Sequence, residues 1–175
     1  SQNKTEDAKA VLNEALKLGG SRAKDLVNQG NIYLKLGDLT AAEEKIQKAL
    51  DKGEISANLS MAELNMAKTP SDYALACQYF ETYLAAVTSD AEAYNAYGLC
   101  LMEMEDYAKA ETVFTQGVAL NNRLLDRSIS KNQISAAERA GHWDKALEYI
   151  NVYLEKYSDD SAAVREKTFI QTRIR

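Results

Sequence analysis

Few residues in this 175-residue chain are of types that do chemistry. The single histidine, His142, follows Gly141, and a glycine there signals a turn. An imidazole in such a place reads as a surface turn residue rather than a general base or metal ligand. Cys77 and Cys100 sit inside apolar helical patterns, which makes them buried free thiols rather than a reactive pair. Asp159 and Asp160 fit helix caps better than paired catalytic carboxylates. Tyr149, Tyr153 and Tyr157 recur every four residues and read as core or support. There is no glycine-rich phosphate loop, His/Cys metal spacing or nucleophile elbow. The expectation is a protein that is not an enzyme and uses no metal and no cofactor.

The elements that would position these residues are helices. One proline, eight glycines and an abundance of Ala, Leu, Glu and Lys point to an all-α chain that needs no strand. The net charge is -5, and Lys and Arg are scattered among Asp and Glu, which argues against nucleic acid as a ligand. No apolar run approaches the roughly 20 residues of a membrane-spanning helix. The polar opening SQNKTEDAK lacks the apolar core of a signal peptide.

The clearest stretch is Ala91 to Asn122. Tyr94, Tyr97, Gly98 and Leu101 recur at helical steps, a turn follows at Glu105 and Asp106, and Ala110, Phe114, Gly117 and Val118 mark a second helix. Gly98 and Ala110 would let the two backbones approach closely while the larger residues fill the space around them. The rest of the chain repeats this unit. Ala110 has counterparts at Ala8, Ala42, Ala76 and Ala146; the first three steps are 34 residues each and the last is 36. Four residues on stand Leu12, Ile46, Phe80, Phe114 and Ile150, and four further Leu16, Leu50, Leu84, Val118 and Leu154.

A helical hairpin with this period and these small and aromatic positions resembles the tetratricopeptide repeat (TPR), whose pattern is W-x2-L-G-x2-Y, A-x3-F and a closing P. Here those letters fall on Tyr94, Tyr97, Gly98, Leu101, Ala110, Phe114 and Asn122, and the closing proline is missing from every copy. The resemblance covers nearly the whole chain and implies an all-α TPR-type solenoid, a right-handed superhelix of antiparallel helix pairs. Within a single domain spanning 1-175, residues 1-20 supply the second helix of a preceding repeat. Full repeats occupy 23-56, 57-90, 91-124 and 125-158, and 160-175 form a C-terminal capping helix whose charged face ends the stack. The absence of a partner for the first helix leads us to expect a fragment of a longer protein.

Local signals place the helix starts. Asp38 is set to cap the second helix of the first repeat. Thr69, Pro70, Ser71 and Asp72 read as an N-cap, a proline at the first helical position and an acid, and Ser89 with Glu92 reads as a capping box. The two surplus residues of the last repeat are placed within Asn121 to Asp126. Gln29 departs from the leucine of the pattern.

In this family the first helix of each repeat lines the concave surface, and Cys77 and Cys100 fall on helices that pack together, within contact range but unbonded. Counting helical steps, the groove residues expected to hold a peptide are Asn31, Lys35, Asn65, Lys68, Asn95, Leu99, Met102 and Lys131. Asparagine can grip a peptide backbone through donor and acceptor, and Met and Leu give adaptable apolar contact. Some relatives bind the C-terminal carboxylate of chaperones through Lys-x3-Asn, a second Asn and Lys-x3-Arg. Here Asn31 and Asn65 supply asparagines, but Val27 replaces the first lysine and Asn95 and Leu99 replace the last pair, which disfavours that clamp.

The resulting expectation is a non-catalytic protein-protein interaction module that holds a segment of a partner protein in its groove. The alternative is an assembly role through the stack ends, including a homodimer through the exposed N-terminal half-repeat. A third role, a non-catalytic part of a larger enzyme, rests on the missing N-terminal region. The tyrosine-rich second helices resemble those of some exported bacterial repeat proteins, so both a cytoplasmic setting and an exported or membrane-tethered one fit.

Overall fold

The computed structural model describes residues 2–174, with side chains for Asp7 and for residues 9–174. Among these residues there are ten helices and no strand: α1 (Gln2–Lys17), α2 (Ala23–Leu36), α3 (Leu39–Leu50), α4 (Ser56–Ala67), α5 (Tyr73–Ala86), α6 (Ala91–Glu103), α7 (Tyr107–Ala119), α8 (Asp126–Arg139), α9 (Trp143–Lys156) and α10 (Ser161–Gln171). None of them is long and apolar enough to cross a membrane. They form two compact units, Ser1–Ala86 and Val87–Arg175.

In the first unit α1 packs on α2, α2 pairs with α3, and α4 lies against both before pairing with α5. Leu26, Val27, Ala42, Ile46, Ala49, Ala57, Met61 and Leu64 form its core. In the second unit α6 pairs with α7, α8 packs against both, α9 pairs with α8, and α10 lies on α9. Ile134, Ala137, Ala146, Ile150, Tyr153, Ala163 and Ile170 form one cluster there. Tyr94, Tyr97, Leu101 and Phe114 are buried around the α6–α7 hairpin.

The repeat explains this packing. Ala42, Ala76, Ala110 and Ala146 are fully buried, as are Ile46, Phe80, Phe114 and Ile150 one turn later. Ala8 lies outside the described side chains, and Leu12 and Leu16 are half-buried. Glycine permits two close crossings. A Cβ built on Gly98 would sit 2.4 Å from Cε1 of Phe114, and one on Gly30 would sit 2.5 Å from Cγ1 of Ile46.

Caps set the helix starts. The Asp38 carboxylate accepts from Ala41 N–H at 3.0 Å, Asp106 from Lys109 N–H at 3.3 Å, and Asp160 from the N–H groups of Ala162 and Ala163 at 3.2 Å. Two expected caps are corrected. The fifth helix is capped by Asp72, which accepts from Leu75 N–H at 3.0 Å, while Pro70 follows a cis peptide bond in the connector. The sixth is capped by Asp90 through Ala93 N–H at 3.0 Å, not by Ser89. In both places several residues able to cap stand side by side, and a carboxylate accepts the N–H of the first turn. Gln29, the departure from the repeat pattern, donates to the Gly20 carbonyl at 2.8 Å and ties α2 to the preceding connector.

Candidate functional site

Residues expected to line a groove have different surroundings in the two units. In the first, Asn31 is half-buried, and its Oδ1 is buried with no hydrogen-bond partner among the described residues; Lys35, one turn on, is exposed. Asn65 is fully buried and donates through Nδ2 to the Met61 carbonyl at 2.8 Å. Lys68 donates to Asn65 Oδ1 at 3.0 Å and to Glu43 at 3.1 Å, bracing α4 against α3. The polar groups of Asn65 are thus engaged within the fold.

In the second unit, Asn132 of α8 donates through Nδ2 to Oδ1 of Asn95 of α6 at 2.9 Å, joining the two first helices across their shared face. An amide that accepts through its oxygen keeps its own N–H groups, and one that donates keeps its carbonyl. The pair therefore presents Nδ2 of Asn95 and Oδ1 of Asn132. One turn along α6, Leu99 is 41% exposed, and Met102 beside it is half-buried. Lys131 is fixed differently: Nζ lies 2.7 Å from Asp160 Oδ2 and 5.6 Å from the Tyr153 ring centroid. Asp160 holds the ammonium pKa above its usual range. Helical counting that assigns Lys131 to the groove passes over Asn132, because adjacent residues of a helix do not share a face.

The tyrosine row on α9 does support the unit, through buried acids. Tyr149 donates to Glu111 Oε1 at 2.9 Å, Tyr153 to Asp160 Oδ2 at 2.7 Å and Tyr157 to Asp126 Oδ2 at 2.9 Å. Each carboxylate also meets a cation. Lys145 reaches Glu111 at 3.0 Å, Arg127 reaches Asp160 at 3.1 Å, and Lys156 reaches both oxygens of Asp126 at 3.2 Å. Lys131, Tyr153 and Arg127 hold the Asp160 carboxyl far below the usual range. Burial pushes Glu111 up, but hydrogen bonds from His142, Lys145 and Tyr149 outweigh it and leave the group below the ordinary glutamate value.

His142 is exposed in the turn before α9, with Nδ1 2.6 Å from Glu111 Oε2. With Glu111 ionised, Nδ1–H donates, so the ring helps fasten α9 to α7. Cys77 and Cys100 are buried and form no disulfide. Among the described residues, no group of three or more His, Cys, Asp or Glu is arranged to hold a metal. A contrasting pair is Glu138 of α8 and Glu166 of α10. Burial, the Glu166 charge and a hydrogen bond between the two push Glu138 up to about 7.

The tetratricopeptide repeat family profile matches residues 1–57, 71–119 and 101–161. The chain belongs to the tetratricopeptide repeat family. Similar folds are found in MamA, at 21% identity over 92% of this chain and 87% of that one with a TM-score of 0.67. TTC0263, a thermophilic TPR protein of Thermus thermophilus, is 17% identical over 98% and 92% with a TM-score of 0.65. YrrB, a TPR protein with an unusual peptide-binding site, is 22% identical over 95% and 84%, also with a TM-score of 0.65. No curated protein matches the sequence. TPR solenoids are in general a non-catalytic, protein-interaction fold, and this chain is an interaction module in that general sense.

Proposed function

We propose that the face shared by α6 and α8 binds a peptide segment of a partner protein. The observation that carries this is the Asn95–Asn132 amide pair, which presents one donor group and one acceptor beside the exposed Leu99 side chain. A peptide backbone needs that combination, since each residue brings one C=O and one N–H. Leu99 and Met102 then supply apolar contact, and Lys131, held by Asp160, supplies positive charge at one edge. Asn31 and Lys35 offer a shorter polar strip on α2 in the first unit, with Lys68 just past the end of α4 and Asn65 serving to set its position. The description of YrrB as carrying a peptide-binding site agrees with this use of the fold.

The test is affinity capture from the source lysate with the wild-type chain and with Leu99→Ser/Asn132→Ala. Both positions are partly solvated, so the variant should retain its fold, checked by circular dichroism. The proposal expects a captured protein to be lost at least tenfold in the variant. Equal capture by both would remove this face from the function.

A further inference from the structure

A lysine-lined cavity lies where α3 meets α2 and the connector before α2. It measures about 480 Å³ and is walled by Lys45 and Lys48 of α3, by Lys52 in the turn after it, and by Ser21. Lys45 and Lys48, three residues apart, lie on one side of α3. Leu26, only 7% exposed, gives the cavity an apolar element. The one acid in the wall, Asp51, already accepts from Gln47 at 2.9 Å. Among the described residues Lys45 and Lys52 form no ion pair, and Lys48 has only an exposed contact with Glu44 at 2.6 Å, of a kind that contributes little. The cavity suits an anionic group attached to an apolar one.

The chain itself carries such a group. Met104, in the turn between α6 and α7, is 44% exposed and stands between Glu103 and Glu105, with Asp106 next. Of the exposed large apolar residues in the described chain, it alone has an acid on each side. Glu103 and Glu105 are exposed and form no ion pair among the described residues. Glu105 also holds a φ of 60°, at the turn position where the first and last full repeats have Gly37 at 82° and Gly141 at 76°. Glycine adopts that conformation freely, and a side chain there costs stability.

We propose that the chain associates with copies of itself, the acidic turn between α6 and α7 of one copy seating in the lysine-lined cavity of the next. Met104 meets Leu26, and the carboxylates of Glu103 and Glu105 meet the lysines. Because the two surfaces differ, the contact is heterologous: the turn of one copy meets the cavity of another. It uses neither Leu99 nor Asn132, so this inference and the peptide-binding face stand or fall separately.

Light scattering against concentration tests it on the whole chain. The wild type should rise steadily above 19.4 kDa and return toward that mass in 0.5 M salt, where charge contacts are screened. Glu103→Lys/Glu105→Lys and Lys48→Glu/Lys52→Glu should each associate at least tenfold more weakly, and their equimolar mixture should recover association because each copy then meets an opposite charge. Glu105→Gly gives an independent check: it should melt at a higher temperature yet associate less. A wild type that stays at 19.4 kDa, a charge reversal that leaves the curve unchanged, or a mixture of folded variants that stays dispersed would overturn the proposal.

Discussion

Substituting Gly98 by alanine sets two known effects against each other, and the close crossing of α6 and α7 decides between them. In an open helix interior the change would stabilise by about 0.8–1 kcal/mol, since alanine loses less backbone entropy. Here the added Cβ would lie 2.4, 2.6 and 2.7 Å from Cε1, Cζ and Cδ1 of Phe114, a ring with no exposed surface. The clash involves three atoms of a rigid ring, so it is not relieved by swinging a flexible tip aside. Overpacking of this kind costs about 1–3 kcal/mol, which leaves a net loss of up to about 2 kcal/mol. Urea denaturation followed by circular dichroism reads the change as a lower midpoint with an unchanged slope. Combining the substitution with Phe114→Leu, which trims the ring, should cost less than the sum of the two single changes. A Gly98→Ala protein stabilised by about 1 kcal/mol would show that the helices do not meet as closely as described.

Other expectations follow from the same contacts. Phe114→Ala should cost about 3–5 kcal/mol in the same denaturation assay, because it empties a fully buried site. Glu111→Gln should cost about 1–3 kcal/mol at pH 7. Because the folded-state pKa of Glu111 is depressed, its contribution is complete above the ordinary glutamate value and is lost as pH falls below it, so the variant should also lose stability less steeply on acidification. Glu138 has the opposite sign. Its pKa is raised from 4.5 to about 7, so the native state binds the extra proton and stability falls as pH rises through that window. Glu138→Gln should therefore stabilise the protein at pH 8 and change little at pH 4, as thermal melts at the two pH values would show.

The parts legible in the sequence were those fixed by local repetition. Alanine at one helix crossing and a large residue one turn later recur in register because every hairpin solves the same packing problem, and in the four hairpins from α2 to α9 both are buried, while Leu12 of α1 is half-buried. Caps were legible to within a few residues only: Asp90 took the place of Ser89, and Asp72 that of Thr69, because neighbouring polar residues compete for the same N–H groups. Groove residues were harder. Helical counting assigns a direction to Asn65 but cannot show that neighbouring side chains cover it, and its amide is spent on Met61 and Lys68. The acids beneath the α9 tyrosines escaped for a related reason. Glu111 and Tyr149 lie 38 residues apart, farther than one repeat, and their hydrogen bond depends on how successive second helices approach. A polar residue in a helix pattern reads as solvated until its partner from another repeat is known.

The central claim, that the α6–α8 face engages the partner, is tested most directly by photo-crosslinking from defined positions. A photoreactive residue placed at Leu99 or, as a control, at the exposed Thr112 of α7 would be irradiated in source lysate and the adducts identified by mass spectrometry. The account predicts one partner joined at position 99 through a short, continuous segment, with none at 112. The same partner joined at 112 and not at 99 would contradict it.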